Sequence, residues 1–74
     1  EKMGKFFKVE EVNMSEDGTY VSVINTNESL IATVDKKANK NFAEIKAGDN
    51  LMVWYDMMTM SLPARTNANK VVIL

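Results

Sequence analysis

Residues 15–24, Ser-Glu-Asp-Gly-Thr-Tyr-Val-Ser-Val-Ile, join a turn signal to an alternating run. The Asp-Gly pair strongly predicts a β-hairpin because both residues tolerate the positive φ angles of a tight turn. The alternation that follows predicts a strand with Val21 and Val23 on its buried face. Tyr20 falls on the opposite face of the same strand.

Two further strands are predicted around this hairpin. Lys5–Val12 mixes aromatic, β-branched and charged residues with rough alternation, as a half-buried strand does. Asn25–Glu28 is a polar turn, and Ser29–Val34 is the next apolar run. The first half of the chain is therefore predicted to be a three-stranded meander.

The middle of the chain has no strand signal. Asp35–Asn41 is polar, and the Asp35 side chain is suited to capping a short helical turn through Lys40. Phe42 and Ile45 are three residues apart, so a single helical turn would bury both against the end of a barrel.

The second half predicts two more strands. A turn at Ala47–Asn50 precedes the strand Leu51–Tyr55, and the last strand is Asn69–Leu74. Between them, Met57–Asn69 is predicted to be a long loop, since it contains the chain's single proline, Pro63.

Alternation in the fourth strand assigns its two faces. Leu51, Val53 and Tyr55 share the inner face, and Met52 and Trp54 share the outer face. A register slip of one residue would move Trp54 into the core, so the orientation of Trp54 is a sensitive test of this assignment.

These elements predict a single all-β domain over residues 1–74, a five-stranded OB-like Greek-key barrel with a short helical turn between strands 3 and 4. Closure into a barrel removes strand edges that so small a protein would otherwise leave open. An open sheet with one helix and an SH3-like barrel are the alternatives. The expected core is Phe7, Val9, Val21, Val23, Leu30, Ala32, Val34, Phe42, Ile45, Leu51, Val53, Val71 and Ile73.

Composition excludes several classes of function. The 74 residues carry a formal net charge of −1, which disfavours an overall basic nucleic-acid-binding protein. The chain contains neither cysteine nor histidine, which excludes thiolate and imidazole chemistry. No apolar run is long enough for a signal peptide or a membrane span.

An enzyme is not expected. The candidate acids Asp35, Glu44, Asp49 and Asp56 form no recognisable acid–base pair by spacing, and Ser61 has no histidine partner and no nucleophile-elbow motif. Asp49 follows Gly48 and is better explained as a turn residue. No catalytic residue, resident metal or cofactor is predicted.

Two later segments carry a family resemblance. Ile45–Tyr55 contains a hydrophobic-x-x-Gly-Asp-x-hydrophobic entry to a strand, similar to that of many OB-type barrels. Ser61–Leu74 pairs a Ser-x-Pro-Ala loop with an Ala-x-Lys and apolar closing strand, and it resembles the ending of small domains of unknown function in secreted or lipoprotein-type proteins of Gram-positive, clostridial-like bacteria. Some relatives of that type lie beside copper-amine-oxidase-like N-terminal modules. The resemblance implies an extracellular or cell-envelope location and no established activity.

Three sets of side chains are candidates for binding. Tyr20 and Trp54 are possible aromatic platforms beside a basic loop, as in barrels that bind single strands or oligosaccharides. The methionines after Asp56 are soft potential Cu(I) ligands, but packing or an adaptable partner surface is the favoured interpretation because harder ligands are missing. The loop that contains Leu62 is apolar and suits contact with another protein or domain. The complete candidate set is Tyr20, Lys36, Lys37, Lys40, Trp54, Met57, Met58, Met60 and Leu62.

Two functions are therefore in competition. The first is a non-enzymatic accessory or interaction domain, expected as a monomer, whose partner is a protein or a neighbouring domain. The second is an OB-fold module that binds single-stranded nucleic acid or an oligosaccharide.

Overall fold

A computed structural model describes residues 3–74 of the chain. The fold is all-β: a curled mixed sheet forms a half-barrel, and the helical content is a single 3₁₀ turn, η1. Its strands are ordered β1-β5-β6-β4-β3-β2 across the sheet. The elements are β1 (Met3–Lys8), β2 (Glu11–Met14), β3 (Tyr20–Asn25), β4 (Leu30–Asp35), η1 (Phe42–Glu44), β5 (Asn50–Met58) and β6 (Ala64–Ile73).

Six strands replace the predicted five because the first strand is divided at Val9 and Glu10. The backbone of Val9 bonds to Asp49 and Gly48 on the β5 side, with N···O distances of 2.9 Å for both bonds. The next amide, that of Glu10, donates instead to the carbonyl of Ile24 on the β3 side. The chain thus crosses from one edge of the sheet to the other, and this crossing curls the sheet.

One parallel pairing gives the sheet its mixed character. Leu30 to Thr33 of β4 pair with Ala64 to Asn67 of β6 in parallel, whereas the other strand pairs are antiparallel. The amide of Ala64 anchors the start of this pairing by donating to the carbonyl of Ser29 at 2.8 Å. The pairing joins the first-half meander to the β5–β6 hairpin in one sheet.

The core confirms most of the sequence assignment. Eleven of the thirteen predicted core residues are buried, and Phe42 and Ile73 are half-buried and pack against them. Alternation in β5 is also confirmed, because Leu51 and Val53 are buried while Trp54 lies on the outer face. Ala38 is also buried in the core, although the polar residues around it in the sequence do not indicate burial.

The prediction of a long loop over Met57–Asn69 is wrong. Strand β5 continues to Met58 and β6 begins at Ala64, so the connecting loop contains only residues 59–63. The pairing tolerates two irregularities in register, one between Trp54 and Tyr55 and one between Tyr55 and Met58. Arg65 and Asn67 of β6 face solvent, and the buried Thr66 hydroxyl donates to the Met57 carbonyl, so strand pairing there does not need an apolar pattern.

The mid-chain connection contains turns rather than the predicted helical run from Asp35 to Lys40. The Asp35 carboxylate nevertheless acts as a cap, since its Oδ1 accepts the amide of Ala38 at 3.1 Å. The single 3₁₀ turn brings Ile45 into the core. Within residues 3–74, no helix is long and apolar enough to cross a bilayer.

Three carboxylates accept hydrogen bonds that lower their pKa values and so make the stability of the fold depend on pH. Hydrogen bonds from the Thr26 side chain and amide hold the pKa of Glu10 below its ordinary value. Hydrogen bonds from Thr19 and Ser15 lower the pKa of Asp17, and the Lys46 amide does the same for Asp49. Each group therefore binds a proton less readily in the folded state than in the unfolded state.

The contribution of these three carboxylates to the free energy of unfolding is expected to be fully present above the ordinary carboxyl pKa range. It should be lost as the pH drops below about 4. Thr26→Val is expected to return the pKa of Glu10 toward its ordinary value by removing the side-chain hydrogen bond. Carboxyl-carbon NMR titration of the wild type and the variant measures this directly. An ordinary Glu10 pKa in the wild type would contradict the prediction.

Candidate interaction surface

The tip of the β5–β6 hairpin presents large apolar side chains to solvent. Met60 is 100% exposed, Leu62 88% and Met57 81%. Met57 lies near the end of β5, and the other two lie in the loop that follows. We call Met57, Met60 and Leu62 the hairpin-tip residues.

Hydrogen bonds hold the backbone of this tip in one shape. The Thr59 amide donates to the Arg65 carbonyl, and the Arg65 amide donates to the Thr59 hydroxyl, both at 2.9 Å. The Thr59 and Ser61 hydroxyls are 2.7 Å apart, and Ser61 donates to the carbonyl of Pro63 at 2.9 Å. The apolar side chains therefore project from a loop whose backbone is held by hydrogen bonds.

A groove lies beside the tip. Leu62 and Pro63 form one wall, and residues of the β3–β4 turn, including Thr26 and Ser29, form the other. Its volume is about 380 Å³, and its lining is mainly apolar. This size accommodates a side chain of a partner protein between the two loops.

Met58 does not belong to the exposed surface. It is half-buried and packs against the core, whereas its neighbour Met57 is exposed on the opposite face of β5. Adjacent strand residues point to opposite faces, so the thioethers of Met57 and Met58 do not converge. Across the described residues 3–74, no three His, Cys, Asp or Glu side chains are grouped to hold a metal ion.

Trp54 lies on the outer face in a row that crosses three strands. It pairs with Gly4 of β1 on one side and with Lys70 of β6 on the other. The Lys70 ammonium lies 5.2 Å from the centre of the indole ring, within the range of a cation–π contact. Trp54 is thus half-buried and partly covered by a charged side chain.

Gly4 leaves room for this indole. A Cβ atom at position 4 would lie 2.8 Å from Trp54 Nε1, closer than real Cβ atoms approach other atoms. Gly4→Ala is therefore expected to push the indole outward, cost on the order of 1 kcal/mol of stability and shift its emission to longer wavelength. Because the chain has one tryptophan, fluorescence reports this site alone.

Lys8→Ala, on the same face of β1, is the matched control and should leave the emission unchanged. Equal spectra for Gly4→Ala and the wild type would show that the indole does not lie against Gly4.

A second apolar row adjoins Trp54 and was missed in the sequence. Phe6, Met52 and Val72 pair across β1, β5 and β6 on the outer face, and Phe6 is 52% exposed. The signal was present, because burial of Phe7 forces its apolar neighbour Phe6 outward. The outer face of these strands is therefore more apolar than the sequence pattern indicated.

Tyr20 and the predicted basic loop lie together but apart from Trp54. Tyr20 pairs with Asp35, and Lys36 and Lys37 line a shallow hollow with Thr19 and Asp35. Strands β6 and β4 lie between the strand of Trp54 and the strand of Tyr20. Three strand spacings of about 4.8 Å separate the two residues by roughly 14 Å across the sheet. One short ligand cannot stack on both rings.

Charge is also segregated along the chain. Residues 9–35 contain six acidic side chains and no Lys or Arg; the six are Glu10, Glu11, Glu16, Asp17, Glu28 and Asp35. Tyr20 lies within this acidic region, and exposed Lys40 lies beyond it in the mid-chain loop. Tyr20 lines a hollow with Glu16 and Asp17, so a phosphate bound at Tyr20 would meet these carboxylates as well as the ammonium groups of Lys36 and Lys37.

The fold and surface define a class of small all-β domain, a half-barrel with an apolar hairpin tip. The chain belongs to the family described as "Protein of unknown function (DUF3221)", whose model matches residues 3–74. No curated protein matches the chain, and no solved structure matches it. The family match confirms a domain of unknown function.

Proposed function

We propose that this domain is a non-enzymatic interaction module of a bacterial secreted or cell-envelope protein. Its partner is a protein or a neighbouring domain, and the hairpin-tip residues make the central contact. The observation that carries the proposal is the near-complete exposure of three large apolar side chains on a hydrogen-bonded loop. Exposed apolar groups on a rigid loop favour association because burial against a partner removes them from water without much loss of backbone entropy.

The surroundings of the tip support the same proposal. The groove beside Leu62 offers a pocket for a partner side chain, and deep anchoring of this kind dominates the energy of many interfaces. A separate apolar area, formed by Trp54 and the row of Phe6, Met52 and Val72, lies on the outer face of β5 toward its other end.

A non-enzymatic role fits the placement of the acidic side chains. Asp35 accepts the amide of Ala38, and Asp49 accepts the amide of Lys46, so both carboxylates are engaged in local turns. Hydrogen bonds lower the pKa values of Glu10, Asp17 and Asp49, which keeps these three carboxylates ionised at neutral pH. The envelope location rests on the resemblance of Ser61–Leu74 to domains of secreted and lipoprotein-type proteins.

Site-specific photocrosslinking tests the interface. Benzoylphenylalanine is placed at Met60 or Leu62 in cells that make the protein, and at Met14 as the control, because Met14 is exposed on β2 away from the tip. We expect one discrete crosslinked protein from the tip positions and none from Met14. A Leu62→Ser change in the Met60 crosslinker variant should reduce the yield several-fold.

Two results would overturn the proposal. Equal crosslinking from Met14 and the tip would show non-specific contact. A salt-sensitive NMR response to a single-stranded oligonucleotide pool, centred on Tyr20 and Lys36–Lys40, would favour the nucleic-acid alternative. Cell fractionation with an antibody to the domain tests location separately: cytosolic recovery would contradict the envelope proposal and leave the interface proposal standing.

A further inference from the structure

The methionines of this chain differ widely in exposure. Six of the 74 residues are methionine, and three of them lie between residues 57 and 60. Met60 is 100% exposed and Met57 81%, whereas Met14 is 49% exposed. Met58 is half-buried and packs against the core, and Met52 is half-buried on the outer face of β5. The two most exposed of these five side chains therefore both belong to the hairpin tip.

Exposure decides which methionine an oxidant reaches first. Hydrogen peroxide converts a thioether to a sulfoxide: the sulfur attacks one peroxide oxygen, an S–O bond forms and the O–O bond breaks. The sulfur is oxidised by two electrons, and the second oxygen leaves as water with both peroxide protons. This reaction requires contact between the sulfur and the peroxide. It should therefore be fastest at Met60 and Met57 and slowest at Met58, which packs against the core.

The fold can accommodate a sulfoxide on either exposed side chain. The hydrogen bonds that hold the loop involve the backbone and the hydroxyls of Thr59 and Ser61, not a methionine side chain. Met57 takes part only through its carbonyl, which accepts the Thr66 hydroxyl. Oxidation of the tip thus makes a surface polar while its supporting hydrogen bonds stay in place. A sulfoxide at Met58 would instead place a polar group against the core and destabilise the fold.

We propose that Met57 and Met60 form a reversible oxidation site that releases the partner bound by the hairpin tip. The oxidant is hydrogen peroxide. Repair is by thiol-dependent methionine sulfoxide reductases, which oxidise two thiols to a disulfide, release the sulfoxide oxygen as water and restore the thioether.

The change in polarity explains the release. In the reduced state both side chains add apolar area to the contact, and its burial favours association. In the oxidised state each side chain carries a polar S=O group, and burying this group without a hydrogen-bond donor is unfavourable. The release of a partner rests on the proposed function, whereas the oxidation site does not.

Peptide mass spectrometry tests the site without a partner. The domain is treated with a graded series of hydrogen peroxide concentrations, the reaction is stopped with catalase, and fragment ions report the sulfoxide at each methionine. Met60 and Met57 are expected to be oxidised several-fold faster than Met58, with Met14 between them. The amide NMR spectrum should stay dispersed while the tip is oxidised. Treatment with both reductase types, one for each sulfoxide epimer, should restore the thioethers.

Hydrophobic-interaction chromatography measures the loss of apolar surface. At the peroxide dose that oxidises only the tip, the wild type should elute earlier than the untreated protein. The double variant Met57→Leu/Met60→Leu keeps an apolar tip that peroxide does not convert, so its retention should not change at this dose. Met14→Leu is the matched control and should respond as the wild type does.

Photocrosslinking tests the release. Benzoylphenylalanine at Leu62 leaves both tip methionines in place, and the cells are treated with hydrogen peroxide before irradiation. The treatment is expected to reduce the crosslink yield several-fold in the otherwise wild-type chain and to leave it unchanged in the Met57→Leu/Met60→Leu chain. Absence of a crosslink from untreated cells would overturn both the release and the proposed function. The mass spectra and the chromatography would still decide the oxidation site.

Three other results would overturn the proposal. Oxidation of Met58 as fast as Met57 and Met60 would show that exposure does not control the reaction. Loss of amide dispersion during oxidation of the tip would show unfolding rather than a change of surface. An equal loss of crosslinking in the double-leucine chain would show that peroxide acts at another place.

Discussion

Replacing Leu51 by alanine is expected to leave a large fraction of the molecules unfolded in water at 25 °C. Leu51 is 0% exposed near the start of β5, between Phe7 of β1 and Ile73 of β6. Removing a buried leucine side chain costs about 2–5 kcal/mol, because apolar contacts are lost and a cavity remains. A domain of this size has a total stability of only about 3–5 kcal/mol from a single core, so the loss is comparable to the whole.

Met52→Ala is the matched control. Met52 is the next residue in the same strand, but it lies on the outer face and is half-buried. Its truncation is expected to cost about 1 kcal/mol or less, since the smaller buried area leaves no enclosed cavity. Urea unfolding followed by circular dichroism at 25 °C measures both variants. Equal losses for the two would show that β5 is not packed with Leu51 inward.

The β2–β3 hairpin and strand β4 were predictable because each has a local signal. The Asp-Gly pair gave the β2–β3 hairpin, and Gly18 has the expected positive φ of 73°. Alternation placed Val21 and Val23 in the core, where both are buried. In a half-buried sheet the side-chain period is fixed by the backbone, so sequence and packing agree.

The break at Val9 and Glu10 had no local signal. Neither residue is a turn former, and the interruption arises because consecutive residues bond to different strands. The start of β6 also could not be predicted. Its residues pair in parallel with β4, which is distant in sequence, and no periodic pattern indicates this pairing. Both errors come from tertiary pairing that overrides local propensity.

The candidate surface was predictable only in part. Exposure of Met60 and Leu62 agrees with an apolar loop, whereas Met58 turned inward because β5 continued past the predicted end. Register shifts in the β5–β6 pairing place Asn67 and Asn69 beside Asp56, and no feature of the sequence indicates such shifts. Binding of a partner by the hairpin-tip residues stays a prediction.

Asn25 illustrates a role that only the structure reveals. The sequence indicated a polar turn residue, but Asn25 is 4% exposed and links two parts of the fold. Its Nδ2 donates to the carbonyl of Lys8 at the end of β1, and its Oδ1 accepts the amide of Glu28, both at 2.9 Å. The side chain thus links the β3–β4 turn by hydrogen bonds to the end of β1, just before the break between β1 and β2.

Asn25→Leu is expected to destabilise the domain by about 2–4 kcal/mol. The substitution keeps the side-chain size but leaves the Lys8 carbonyl and the Glu28 amide without partners, at roughly 1–3 kcal/mol for each group that stays buried. Asn27→Leu, at an exposed position of the same turn, is the control and should change stability by less than about 0.5 kcal/mol. Urea unfolding of the two variants separates the lost hydrogen bonds from the added apolar group.

Asn25→Asp tests the same hydrogen bonds through their dependence on pH. The aspartate can still accept the Glu28 amide, but when ionised it faces the Lys8 carbonyl with a negative charge and no donor. Folding therefore disfavours the ionised form, and the pKa of Asp at position 25 should be higher in the folded state than in the unfolded state. The stability deficit relative to the wild type should be largest near pH 7 and should shrink as the pH falls through the raised pKa, because the protonated acid donates to Lys8 again. A deficit that stays constant from pH 7 to pH 4 would show that Asn25 does not donate to the Lys8 carbonyl.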